Sequence, residues 1–309
     1  MKILIELPTW MGDAVMASVA IENIVNYYDS PEITLIGSYI SIEVIKNHPC
    51  VKRSHVLTKE YISLRKILKN LSDFDVFFSF RSSLRSTILK LLVSSKNKYQ
   101  YKNSQYQNRH QVEKYNDFAN DSLDANFFAG KLVIHKGKEL ITNNTKPIVG
   151  INPGASYGNA KRWYPKEFAK VAFELSSQYE IIIFGGPNEI DIAVDIEKLL
   201  VEKGVKNCTN LAGDTTIQEL IIRISSLDLF ITGDSGPMHL AASFQVPTIA
   251  IFGPTKDEET SQWMNNKSII VKKDLDCQPC MQRTCPLKHH NCMNHIKAID
   301  VLNAVKSLD

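Results

Sequence analysis

Two α/β domains, each a doubly wound parallel sheet, are what this sequence predicts, and three observations predict them. Short apolar runs rich in Ile, Val, Leu and Phe alternate with stretches of helical periodicity in both halves of the chain. Glycines stand where several of those runs end, as they do at the strand-to-helix turns of open α/β sheets. The length, 309 residues, exceeds a usual single domain and makes two domains of roughly 150 residues the expectation.

The elements follow in order. Ile3–Leu7 is a buried-strand run, and Met11–Tyr28 carries Val15, Val19, Ile24, Tyr27 and Tyr28 at helical spacing. Ile33–Gly37, Val51–Leu57 and Asp75–Phe80 read as the next strands, the last followed by a helix from about Ser82 to Val93. Lys96–Gln111, polar and tyrosine-rich, reads as a mobile loop able to order on substrate binding. Leu140–Pro147, with Asn143-Asn144-Thr145, reads as a linker. The alternation restarts at Ile148–Asn152. A helix from Pro165 to Gln178 opens on a proline, whose missing N–H costs nothing there. Strand Glu180–Phe184 follows, and Gly185-Gly186-Pro187 opens a helix to about Glu202. Thr216 with Glu219 makes a capping box. Apolar runs Leu227–Ile231 and Val246–Phe252 flank the stretch Thr232–Ala242, and Ala298–Leu308 is a last amphipathic helix. The expected units are 1–142, 147–296 and a C-terminal helix, 297–309, available to pack back on the first domain.

Composition narrows the function. Net charge is 36 − 33 = +3, too small for general nucleic-acid binding. The charge is unevenly spread. Arg81, Arg85, Lys90, Lys96, Lys98, Lys102, Arg109 and Lys114 face a single acid, Glu113, over one stretch. A solvated surface would look the same, but the clustering favours an anionic substrate or an anionic membrane surface. No segment approaches the ~20 apolar residues of a membrane span. The first residues read as a core strand rather than a secretory signal, and the protein as cytoplasmic. In that compartment, four of six cysteines gathered within 277–292 argue for thiols or a metal rather than disulfides.

Four stretches at strand ends carry the chemistry. In Thr232-Gly233-Asp234-Ser235-Gly236-Pro237-Met238-His239, a glycine-bearing turn into a helix offers backbone N–H groups and the positive end of a helix dipole to a diphosphate. Asp234 or Ser235 as a plain helix cap is the competing reading, and His239 falls one turn further along. In Pro8-Thr9-Trp10-Met11-Gly12-Asp13, Asp13 is either an N-cap or a carboxylate placed to take a proton from an alcohol. In Asn152–Trp163, a glycine-rich loop with Ser156, Tyr157 and Lys161 suits phosphate oxygens. It lacks the Walker spacing. In Phe184–Glu189, Glu189 is either a ribose acceptor or a helix-start acid. No Gly-x-Gly-x-x-Gly follows a strand, which disfavours a dinucleotide dehydrogenase.

Taken together, Leu7–Met16, Pro153-Gly154-Ala155 with Lys161-Arg162-Trp163, Phe184-Gly185-Gly186 and Gly233–Ala241 resemble the ADP-heptose:lipopolysaccharide heptosyltransferases. The run Cys277-Gln278-Pro279-Cys280, Arg283-Thr284-Cys285-Pro286, His289-His290 and Cys292 resembles the type that adds the second inner-core heptose. The type that adds the first, to Kdo, is the nearer alternative. The resemblance implies the GT-B fold, two Rossmann-like domains facing across a cleft, and an inverting transferase with no cofactor and no metal. It implies ADP-heptose as donor and the lipid A/Kdo/heptose core as acceptor, with transient contact to an anionic membrane at the inner face of the inner membrane. Asp13 would be the base, and Lys161 would bind the diphosphate. Ser156, Tyr157, Glu189, Asp234, Ser235, Gly236 and His239 would line the donor site. Gly12 and the basic stretch with Arg81, Ser82 and Arg85 would meet the acceptor. Rival classes are a nucleotide-sugar epimerase or another two-domain transferase, and a non-catalytic module organised by zinc on Cys277, Cys280, Cys285 and Cys292.

Overall fold

The computed structural model describes residues 1–58, 71, 73–137 and 146–308. The chain divides into two units, Met1–Gly137 and Lys138–Asp309. The expected linker lies mostly outside the described residues.

The first unit is a five-stranded parallel sheet in the order β3-β2-β1-β4-β5 among the described residues. Its strands are β1 (Lys2–Glu6), β2 (Glu32–Gly37), β3 (Val51–Val56), β4 (Phe74–Ser79) and β5 (Ser95–Gln100). Helices α1 (Met11–Met16) and α2 (Ser18–Tyr27) follow β1, with Ala17 between them where one helix was expected. Helices α3 (Tyr39–Ile45), α4 (Leu84–Leu92) and α5 (Gln111–Leu123) are the unit's other α-helices among the described residues. The sheet's central strands are covered on both faces, so β1 reads as unbroken Ile3-Leu4-Ile5, each fully buried.

The Lys96–Gln111 stretch is a loop only from Tyr101 to His110; its first residues form β5. Ser95–Gln100 pairs with β4 in parallel, Phe78 opposite Tyr99. As an edge strand, β5 can leave Lys96 and Asn97 in water. Its tyrosines do the packing. Tyr99 stacks on Phe78 at 5.2 Å, and Tyr101 on Tyr106 at 5.7 Å. Tyr101 also meets Tyr115 and Phe118 of α5. Burying these rings outweighs the polar composition. Helix α5 itself carries no expectation from periodicity. Its start is capped by His110, whose Nδ1 accepts the Val112 amide, while Glu113 returns to the His110 amide.

The second unit is a six-stranded parallel sheet, β11-β10-β9-β6-β7-β8, among the described residues. The strands are β6 (Ile148–Asn152), β7 (Glu180–Ile183), β8 (Cys208–Asn210), β9 (Leu229–Gly233), β10 (Thr248–Ile251) and β11 (Ser268–Val271). Helices are α6 (Pro165–Leu175), α7 (Ile190–Glu202), α8 (Ile217–Ile224), α9 (Gly236–Ser243), α10 (Asp257–Thr260), α11 (Asn291–Asn294) and α12 (Ala298–Lys306). The capping box forms as expected, with the Glu219 amide on Thr216 Oγ1 and the Thr216 amide on Glu219 Oε2.

The C-terminal helix is part of the second unit. The buried face of α12 (Ala298, Val301, Ala304) belongs to the second unit's own core, with Trp163, Phe168, Val171 and Ile196. Glu167 of α6 accepts the Ala298 amide at 2.8 Å, tying the start of α12 to the same unit.

Candidate active site

In a doubly wound sheet the ligand crevice opens where strand order reverses. In the second unit that point lies between β6 and β9, where Asn152 sits opposite Thr232 in register. The loops after β6, β7 and β9 therefore leave from neighbouring strand ends, and they carry three of the four stretches named from sequence.

A buried polar web occupies this point. Asp234, 5 % exposed, accepts from Lys161 Nζ at 2.5 Å and from Thr255 Oγ1 at 2.6 Å, both on Oδ2. Thr232 Oγ1 lies 3.1 Å from Ser235 Oγ, and Asn152 Nδ2 donates to Ser235 Oγ at 3.3 Å. Asp234 is thus not a helix cap. Ser235 occupies the N-cap position of α9, but its side chain makes no capping bond. The expected supply of free amides is narrower than the motif suggests. Asp234 N–H donates to Ile251 O, Met238 N–H to Ser235 O, and Pro237 has none. The amides of Ser235 and Gly236 remain for an anion. His239 lies in α9, buried at 3 %.

The Lys161 loop is held from two sides. Under it, a Cβ on Gly154 would fall 2.0 Å from the Glu189 carboxyl carbon, so any side chain there would have to push that carboxyl aside. Glu189 in turn accepts the Gly186 amide at 2.8 Å, the helix-start role that competed with ribose binding. Over the loop lies the cysteine-rich segment. Ala160 N–H donates to Arg283 O, and a Cβ on Gly158 would lie 2.4 Å from that same oxygen. Tyr157 OH donates to Met281 O at 2.7 Å. His290 bridges Ala160 O through Nε2 at 2.9 Å and Tyr164 OH through Nδ1 at 3.1 Å. That pairing places the ring proton on Nε2, because a carbonyl can only accept. Lys161 and Arg283 both approach the Tyr157 ring, at 4.8 and 5.4 Å. Ser156 stands exposed at the loop's tip.

The first unit repeats the layout at its own reversal, between β1 and β4, where Glu6 lies opposite Ser79. Asp13 is the third residue of α1, whose N-cap is Trp10, so it is not the cap. Tyr115 OH donates to Asp13 Oδ1 at 3.3 Å. Burial, and then the Asp13 charge, push the Tyr115 phenol well above its ordinary value, so it stays a donor. Gly12 precedes Asp13 on α1. The buried Glu6, 1 % exposed, accepts from Ser79 Oγ and Ser86 Oγ and faces Arg81 Nη1 at 3.6 Å. Arg85 Nη2 donates to Thr58 O at 2.6 Å, and Ser82 is exposed. Glu6 thus fixes the Arg81–Arg85 segment from below. Burial raises its carboxyl above the ordinary range.

The chain as a whole has relatives among known proteins. A model of glycosyltransferase family 9 (heptosyltransferase) matches residues 62–291. The chain belongs to this family. The lipooligosaccharide heptosyltransferase 2 of Campylobacter jejuni serotype O:2 is 43 % identical over 317 residues, covering all of this chain and 98 % of that one. A lipopolysaccharide heptosyltransferase 1 of Campylobacter coli is 26 % identical over 348 residues, covering all of this chain and 99 % of that one. The solved structure of Escherichia coli ADP-heptose lps heptosyltransferase II superposes with a TM-score of 0.81 at 20 % identity, covering all of this chain and 98 % of that one. The fold is therefore that of the GT-B heptosyltransferases.

Within this family-9 chain, two groups have metal-ligand chemistry. Among the described residues, Glu22, His48 and His135 bring one ligand atom each within 4.8 Å of one another. His48 Nδ1 accepts the Cys50 amide, so Nε2 carries the proton and gives it to Glu22 at 3.0 Å. In that tautomer the nitrogen facing Glu22 has no lone pair for a metal. The second group is the cysteines, all free. Cys277, Cys280, Cys285 and Cys292 line one cavity with His289 and His290, but no three of these ligand atoms converge as the first group does. Amides of His290, Leu287, Lys288 and His289 lower the Cys285 thiol, while burial pushes Cys292 up to about 11. The segment's visible work is to brace the Lys161 loop. Sequence reasoning missed Thr255, which has no local motif, and read Arg283 and His290 only as members of the cysteine-rich run, because their contacts with the Lys161 loop cross more than a hundred residues.

Proposed function

We propose that the protein transfers L-glycero-D-manno-heptose from ADP-heptose to the inner-core heptose of lipopolysaccharide or lipooligosaccharide, adding the second heptose with inversion. The observation that carries this reading is the buried Lys161–Asp234–Thr255 group at the second unit's strand reversal. It is supported by the 43 % full-length identity to a heptosyltransferase 2, against 26 % to a heptosyltransferase 1.

The chemistry needs no cofactor and no metal. Asp13 takes the proton of the acceptor hydroxyl as that oxygen bonds to the anomeric carbon. The anomeric C–O bond to the β-phosphate breaks, and its electron pair leaves with ADP. Asp234 and Thr255 orient the Lys161 ammonium, whose remaining donors meet the charge building on the leaving diphosphate. The amides of Ser235 and Gly236, with His239, complete the phosphate side. Ser156 and Tyr157 take the phosphate and sugar region, and Glu189 offers its second oxygen to the ribose. Gly12, Arg81, Ser82 and Arg85 receive the acceptor, whose Kdo carboxylates and phosphates call for cations.

Among the described residues no helix is long and apolar enough to cross a membrane. The enzyme in this reading works at the cytoplasmic face of the inner membrane and visits its lipid-borne acceptor from solution, with no role for nucleic acid. Incubating the protein with ADP-heptose and core acceptors ending in Kdo or in one heptose, scored by product mass, tests it. A gain of one heptose on the heptose-terminated acceptor alone is expected. Transfer to the Kdo-terminated acceptor instead would assign the first heptose, and transfer to neither would remove the activity.

A further inference from the structure

Helix α4 (Leu84–Leu92) is apolar on two opposite sides. Ser86 and Leu89 are buried, and Val93 just beyond continues that side into the core with Leu4, Phe74 and Phe77. At about 100° per residue, Leu84, Ile88 and Leu91 fall within roughly 60° of one another on the side facing away. Leu84 is 78 % exposed, Leu91 74 % and Leu92 56 %. Three leucines this exposed on nine residues form a patch rather than the scattered apolar surface of an ordinary protein.

The surroundings indicate what covers it. Lys90 lies on the helix itself, and Lys98 of β5 reaches back to Leu91 O at 3.4 Å. Lys96, also on β5, stands largely exposed and meets Asp75 at 2.8 Å. Other cations of the basic stretch are consumed by the fold. Arg109 pairs with Glu113 and Asp117, and Lys114 is buried. What is left beside the leucines is lysine, on long stems able to keep their charge at a headgroup level. Leucines flanked by lysines match a bilayer carrying anionic lipid, where apolar insertion and charge attraction add.

We propose that the outer face of α4 is a membrane-docking surface, with Leu84, Leu91 and Leu92 entering the headgroup boundary of an anionic bilayer and Lys90 and Lys98 meeting its phosphates. This rests on the transferase reading for its purpose. The helix starts directly after Arg81 and Ser82, so docking it would set the acceptor-binding segment at the lipid surface.

The test is sedimentation with vesicles of phosphatidylglycerol and phosphatidylethanolamine, against phosphatidylcholine alone, at physiological salt. The wild type is expected to partition onto the anionic vesicles at least tenfold more than onto the neutral ones. Leu84→Ser/Leu91→Ser/Leu92→Ser should lose that partition by tenfold or more, and Lys90→Gln/Lys98→Gln should lose the preference for anionic lipid. Folding is checked by an unchanged melting temperature. Turnover of the leucine variant on a delipidated, water-soluble acceptor should stay within twofold of wild type, while its KM for vesicle-borne acceptor rises about tenfold. Equal partition of wild type and leucine variant, or no partition by either, overturns the proposal. So does a wild-type dimer in light scattering that the leucine variant makes monomeric, which would give the face to a second copy. Because vesicle binding is read without donor, it stands or falls separately from the heptose-transfer activity.

Discussion

Asp234 bears on both stability and the proposed chemistry. Its carboxylate is buried, and it is tolerable there because Lys161 and Thr255 share one of its oxygens. Lys161→Ala should therefore cost turnover about 10²- to 10³-fold through the lost charge at the leaving group. It should also lower stability by about 3 kcal/mol, because a buried carboxylate loses its cation. Lys161→Met/Asp234→Asn separates the two effects. Urea unfolding should recover most of the lost stability, and product mass should show no recovered turnover. Gly154 makes a second test. Gly154→Ala puts a methyl into the Glu189 carboxyl, which must let go of the Gly186 amide. Stability should fall by roughly 1–3 kcal/mol, read from urea midpoints, with a weaker ADP complex in calorimetry. Retained stability and affinity would mean the Glu189 seat is looser than its spacing implies. At this scale the sequence was partly readable. Asp13, Lys161 and Asp234 stand in local motifs, and the structure puts Lys161 and Asp234 in contact. Their supports, Thr255 and Tyr115, have no local mark because they arrive from other elements.

At the scale of elements, strands buried on both faces were legible, and of the edge strands only β3 was. β1, β2, β4, β6, β9 and β10 announce themselves as largely apolar runs, since both sheet faces are covered. β5 hides behind lysines and asparagine, and β8 and β11 are short outer strands. Helix α5 escaped notice because its buried face mixes Val112, Tyr115, Asn116 and Phe118 rather than a plain aliphatic stripe. Elements are also pinned by titratable contacts. Glu22 of α2 accepts from His48, between α3 and β3, at 3.0 Å. That hydrogen bond outweighs the opposing effect of burial and holds the Glu22 carboxyl below its ordinary value of 4.5. A lowered carboxyl favours the folded state above the unfolded pKa, and the gain disappears as pH falls through the lowered folded value. Wild type should thus unfold at a higher urea midpoint than Glu22→Gln at pH 7, with the gap closing below about pH 4.5. A gap that persists to pH 3 would show the contact to be packing rather than charge.

For the whole molecule, each unit places its polar residues at the reversal of its own sheet: Glu6, Ser79 and Arg81 in the first, Asn152, Thr232 and Asp234 in the second. The two-unit plan was readable from the alternation of strands and helices. The allegiance of α12 was not, because its apolar stripe does not say which core receives it. In the proposed transfer the donor's diphosphate falls to the second unit and the base to the first, so the two functions should separate by mutation. The most direct measurement is turnover of Asp13→Asn with ADP-heptose and a heptose-terminated acceptor, taken beside its ADP dissociation constant. Loss of turnover by about 10³-fold with ADP affinity unchanged is the predicted result; turnover within tenfold of wild type would contradict it.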